Sequence, residues 1–149
     1  MLGTTPEECA MSDIVKILYT AKTGTTGGRE YGTSRSSDGL LDIRLAIPGS
    51  ARIGANPEQL FAAAWSASLE SAIVLAARQR TIVFTDDLAI EAEVDLCVAD
   101  GAYFLQARLN VGLPGVEREV AQALVNEAQQ TCAYSKATRG NIDVLINLV

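Results

Sequence analysis

Apolar and polar positions alternate over Ile90 to Val98, with Ile90, Ala92, Val94, Leu96 and Val98 on one face and Glu91, Glu93, Asp95 and Cys97 on the other. That period of two predicts a half-buried strand. After the Asp100-Gly101 turn the period returns in Tyr103, Leu105, Ala107, Leu109 and Val111, the second strand of a hairpin. Upstream the pattern is different. Leu60 to Ala77 is apolar or small on nearly every face, broken chiefly by Ser66, Ser68, Glu70 and Ser71. It follows Asn56-Pro57-Glu58-Gln59, where Asn suits an N-cap, Pro the first helical position and Glu the positive end of the helix dipole. One long helix is therefore predicted from here to Arg78-Gln79-Arg80. So apolar a run invites a membrane reading, but the Glu and three Ser within it argue against one. A central helix buried by strands and by a second subunit fits better.

The remaining segments complete an order. Ile14 to Thr23 reads as a first strand, and Gly24 to Glu30 as a glycine-rich turn without the Gly-Lys-Ser/Thr ending of a phosphate loop. Ser36-Ser37-Asp38-Gly39 is a second turn, followed by alternating Leu41, Ile43, Leu45 and Ile47 up to Pro48-Gly49. These make a three-stranded meander. Leu113-Pro114-Gly115 leads into a second helix bearing Val116, Val120, Leu124 and Ala128, with Cys132 continuing that face near its end. A last strand carries Ile142, Val144, Ile146 and Leu148. The order βββ-α-ββ-α-β predicts an α+β fold with mainly antiparallel sheet and a long central helix. Residues 1–12, polar and containing Pro6 and Cys9, read as a flexible tail before a single domain over 13–149.

Composition narrows the chemistry. A net charge of −6 without any basic block lacks the footprint of a nucleic-acid binder and offers no polybasic patch to a membrane. There is no histidine, which excludes Ser–His–Asp and Cys–His nucleophile systems and any His-bearing zinc site. The three cysteines, Cys9, Cys97 and Cys132, form no CxxC, so neither a metal nor another cofactor is expected. An odd cysteine count in a chain able to build its own core suits a reducing, cytoplasmic setting. The first residues show no secretory signal pattern. Cys97 shares its face with three acids, a setting that opposes a thiolate, and reads as incidental.

Four blocks in this order resemble the OsmC/Ohr family, and its organic hydroperoxide resistance branch in particular. They are Tyr19-Thr20-Ala21 followed by Gly27-Gly28-Arg29, Ser36-Ser37-Asp38-Gly39, Asn56-Pro57-Glu58-Gln59-Leu60-Phe61-Ala62-Ala63, and Cys132-Ala133-Tyr134-Ser135-Lys136-Ala137-Thr138-Arg139-Gly140-Asn141-Ile142. The resemblance spans the chain from about Ile17 to its end. It implies a thiol-dependent peroxidase that reduces organic hydroperoxides to alcohols, an intertwined homodimer, active sites at the subunit boundary and a lipoyl-type dithiol reductant. By position, Arg29 matches an arginine that activates the attacking thiolate, Glu58 its carboxylate partner, and Cys132 the resolving cysteine.

The attacking, peroxidatic position falls on Ser68. A serine hydroxyl has no accessible anion near neutral pH and does not take up oxygen as a thiolate does, so the chain as written is not expected to run the family's cycle. Ala64 and Ala133 also depart from the family's Gly and Pro, and both engineered and natural loss of the thiol fit these differences. A non-catalytic protein holding a hydroperoxide, fatty acid or similar apolar ligand at the dimer interface is the alternative. A serine hydrolase using Ser68 is rejected, since there is no histidine base, no Gly-x-Ser-x-Gly elbow and no evident activator for a mid-helix Ser. Read alone, Arg29 is a solvated loop residue, Glu58 a helix-start acid, Cys132 a small buried residue, Ser68 a packing residue and Glu70 a wet helix edge. Glu58 and Ser68 stand ten residues apart on one predicted helix, about 15 Å of rise, and face different sides. If both line one pocket, Glu58 comes from a second subunit.

Overall fold

The computed structural model describes residues 15–149. The expected tail, Cys9 and the start of the predicted first strand at Ile14 lie outside them. The elements are β1 (Thr23–Thr26), α1 (Gly28–Tyr31), β2 (Thr33–Ser36), β3 (Asp42–Arg44), α2 (Pro57–Gln79), β4 (Ala89–Ala99), β5 (Ala102–Gly112), α3 (Arg118–Thr131), α4 (Ala133–Thr138) and β6 (Asp143–Leu148). The predicted α+β order holds, with two short helices, α1 and α4, added to it. The strands form two sheets: antiparallel β1-β2-β3, and β4-β5-β6, in which β6 runs parallel to β5.

The long helix starts where the sequence says. The Asn56 side chain accepts a hydrogen bond from the Gln59 backbone N–H, and the Gln59 side-chain oxygen accepts one from the Asn56 backbone N–H, closing a capping box ahead of Pro57. Trp65, Leu69, Ile73, Ala76 and Ala77 from α2 meet Leu109 and Val111 from β5 and Leu124, Val125 and Ala128 from α3 in one core. The apolar length of α2 is thus used on one side for packing. Its other side, with Glu70, Ser71, Val74, Leu75 and Arg78, lines an open groove, so Glu70 sits at the helix edge as expected.

Four sequence expectations are corrected. Residues 15–22 form no strand, and the first strand is Thr23–Thr26, which starts at the last residue of the predicted strand and runs into the predicted turn. A strand needs a ladder partner, and β2 offers one only to Thr23–Thr26, while Val15, Ile17, Leu18 and Tyr19 stay exposed. In the alternating run before Pro48, Leu45 is buried but Leu41 and Ile47 are exposed, because the first sheet lies outside the main core. On α3 the buried face is Ala121, Leu124, Val125 and Ala128; Val116 precedes the helix and Val120 lies at its margin. The β4–β5 hairpin forms as predicted, pairing Val98 with Tyr103 and Leu96 with Leu105 around a two-residue Asp100-Gly101 turn with both φ positive. It outruns the core, however, so Leu96 and Val98 are 44% and 62% exposed instead of inside.

Candidate active site

The four residues singled out from the sequence meet as two pairs, one at the start of α2 and one further along it. The first begins at the glycine-rich segment. Gly27 and Gly28 both have positive φ, which turns the chain from β1 into the single helical turn of α1. Gly32 closes that turn by donating its N–H to the Gly28 carbonyl at 3.0 Å. A Cβ on Gly32 would lie within contact distance of the Gly28 and Thr26 carbonyl oxygens, so only glycine fits there. Arg29, on this turn, donates from Nη2 to Glu58 Oε1 at 2.7 Å. Glu58 occupies the first turn of α2, where the helix dipole favours its charge. Its side chain is 14% exposed against 43% for Arg29, so the carboxylate is the buried anchor and the guanidinium the accessible group. The pair borders an open cleft of about 480 Å³ with apolar walls from Ile47, Pro48, Ala62, Val94 and Leu96.

The second pair is Ser68 and Cys132. The chain leaves α3 at Cys132 with extended backbone and starts α4 at once, so Cys132 is both the end of one helix and the cap of the next. This break sets its side chain against α2, with Sγ 3.4 Å from Ser68 Oγ. Cys132 is 2% exposed. Burial pushes its thiol up, but hydrogen bonds from Ser68, from the Ser135 amide and hydroxyl and from the Tyr134 amide outweigh it, and the net displacement is down. The Ser135 hydroxyl also accepts a hydrogen bond from the indole of Trp65 at 3.2 Å. Phe61 packs edge-on against both Trp65 and Tyr134.

Because α2 continues unbroken between them, the ten residues from Glu58 to Ser68 separate the pairs by about 15 Å of helix rise. Within one chain the four expected site residues therefore form two separate pairs. Ser68 and Cys132 do not line the cleft beside Arg29 and Glu58.

The family model described as OsmC-like protein matches residues 48–147. The organic hydroperoxide resistance protein of Xanthomonas axonopodis pv. citri is 39% identical over 142 residues, covering 93% of this chain and 99% of that one. The chain belongs to the OsmC/Ohr family. The crystal structure of OhrB of Bacillus subtilis superposes with a TM-score of 0.83 at 41% identity, covering 89% of this chain and all of that one. An organic hydroperoxide resistance protein from Legionella pneumophila superposes equally well at 38% identity, covering 89% and 98%.

In this OsmC/Ohr chain, two contributors escaped sequence reasoning: Trp65 and Ser135. The signal was there, since a lone tryptophan in an apolar helix needs an acceptor for its N–H once buried. Nothing in the sequence indicated which of many hydroxyls would supply it. Among the described residues no group of three or more His, Cys, Asp or Glu side chains converges on a metal position.

Proposed function

We propose that this chain is an organic hydroperoxide peroxidase scaffold whose attacking sulfur has been replaced by the Ser68 hydroxyl, so that as written it does not turn over. The observation that carries the reading is the 3.4 Å approach of Ser68 Oγ to Cys132 Sγ. A sulfur at position 68 would stand within reach of a disulfide to Cys132. With it, a thiolate attacks the outer oxygen of a hydroperoxide: the S–O bond forms as the O–O bond breaks, and the alkoxide takes a proton and leaves as the alcohol. Attack by the Cys132 thiol on the resulting sulfenic acid expels water and forms the disulfide. A lipoyl-type dithiol restores both thiols by two exchanges and ends as its own cyclic disulfide.

The separation of the two pairs within one chain supports a homodimer in which one subunit supplies Arg29 and Glu58 and the other supplies position 68 and Cys132. Arg29 then lowers the pKa of the attacking thiol and Glu58 holds Arg29 in place. Covering Val15, Ile17, Leu18, Tyr19, Leu96 and Tyr103, all exposed in the single chain, is consistent with such a partner. The cytoplasm, where free thiols persist, is the compartment that suits this chemistry.

Peroxide consumption by the Ser68→Cys protein, with cumene hydroperoxide and dihydrolipoamide, tests the proposal against the unaltered chain. Turnover confined to the variant is the expected result. No turnover in either, with the variant folded and dimeric, overturns it. The second reading, a binding protein for a fatty acid or other apolar ligand, draws on the apolar cleft beside Arg29. It predicts saturable binding of a long-chain fatty acid by the unaltered chain that is weakened by Arg29→Gln.

A further inference from the structure

Arg52 lies in the connection between β3 and α2. Pro48, Gly49, Ser50, Ala51, Ile53 and Gly54 around it are exposed, yet Arg52 is half-buried. Its Nε donates to the Leu45 carbonyl at 2.9 Å and its Nη2 donates to the Gly32 carbonyl at 3.2 Å. No carboxylate lies at ion-pair distance from it among the described residues. Half-burying a guanidinium is unfavourable unless its donors are used, and here they are used on one backbone junction.

The two carbonyls belong to the two supports of the Arg29–Glu58 pair. Gly32 closes the turn that carries Arg29 and also accepts the Leu45 amide at 2.9 Å. Leu45 bridges in parallel to Ala55, the residue before the Asn56 cap of the helix that carries Glu58. A planar fork with separated donors can span both carbonyls, whereas an ammonium is a single point of attachment.

The geometry points to Arg52 as a positioning residue that holds the Arg29 turn in register with the start of α2. It acts through two backbone carbonyls and touches no reacting atom. Its mechanical role stands by itself; its effect on catalysis rests on the reading of Arg29 given above.

Two experiments separate these parts. In the chain as written, amide hydrogen exchange is compared between the unaltered protein and Arg52→Ala. Exchange at Gly32 and Leu45, whose amides are bonded to the Gly28 and Gly32 carbonyls, is expected to quicken about tenfold or more while the β4–β5 hairpin keeps its protection. Unchanged protection in the turn, or an equal loss throughout the molecule, overturns the inference. In the Ser68→Cys background, the pH profile of thiol alkylation at position 68 is followed with Arg52→Ala, Arg52→Lys and, as reference, Arg29→Gln. Arg52→Ala is expected to move the profile up by about one pH unit, with Arg52→Lys falling between it and the parent. A profile moved by Arg29→Gln but not by Arg52→Ala counts against Arg52. One unmoved by Arg29→Gln removes the catalytic role of Arg29 and leaves the exchange experiment to decide on Arg52. If Arg52→Ala does not fold, Arg52→Lys, which keeps the charge and loses the fork, carries both measurements.

Discussion

The hydroxyl of Ser68 and the thiol of Cys132 stand 3.4 Å apart across the contact between α2 and the α3–α4 break. Sixty-four residues of chain separate them, and the fold closes that distance to hydrogen-bond range. The consequences of this contact and of its surroundings can be measured.

Replacing Ser68 by cysteine places two sulfurs in this contact. One equivalent of an organic hydroperoxide is expected to consume two thiols and form an internal disulfide, read by thiol titration and by mass of the non-reduced protein. Adding Cys132→Ala to the same protein should leave the oxidation at the sulfenic acid, which a dimedone adduct detects.

In the unaltered chain the Cys132 thiol titrates below its ordinary range, with Ser68 among the donors responsible. Ser68→Ala removes a donor that favours the thiolate, so the thiol is expected to rise and alkylation by a small reagent to slow at a fixed pH near 8. The sign carries into stability. A thiol lowered in the folded state binds fewer protons there than when unfolded, so its contribution is full above the unfolded value and is lost as pH falls through the folded one. Chemical denaturation across that window should show stability rising with pH, with a smaller slope in Ser68→Ala.

Trp65 is the only tryptophan and is almost fully buried, with its N–H on Ser135. Ser135→Ala strands that N–H and is expected to cost about 1–3 kcal/mol. Trp65→Ala opens a cavity in the core and should cost about 3–5 kcal/mol. Urea denaturation followed by tryptophan fluorescence reads the first, and circular dichroism the second.

Gly32 has no room for a Cβ between the Gly28 and Thr26 carbonyls. Gly32→Ala is expected to destabilise by about 1–3 kcal/mol, the usual range for forced overpacking, and to detach Arg29 from Glu58. A crystal structure of the variant tests the loss of that pair directly. Retention of the 2.7 Å contact would show that the turn has more freedom than its packing indicates.

What the sequence determined by itself was local: the Asn56 cap and Pro57 start, the Asp100-Gly101 hairpin, and the motif blocks that mark the family. Each depends on residues close in the chain, where backbone preference and side-chain period decide the outcome. The tertiary structure decided which periodic faces were covered. Leu96 and Val98 alternate perfectly yet lie beyond the end of the core, and Val15 to Lys22 is without a strand because the β2 ladder reaches only as far as Thr23. It also decided the pairings: Arg29 on Glu58, Cys132 on Ser68, Trp65 on Ser135, and Arg52 across two carbonyls. Such contacts join residues about 7 to 70 positions apart, and a one-dimensional pattern holds no record of which distant donor meets which acceptor. That is settled only when burial of the α2 face brings the helices and sheets together.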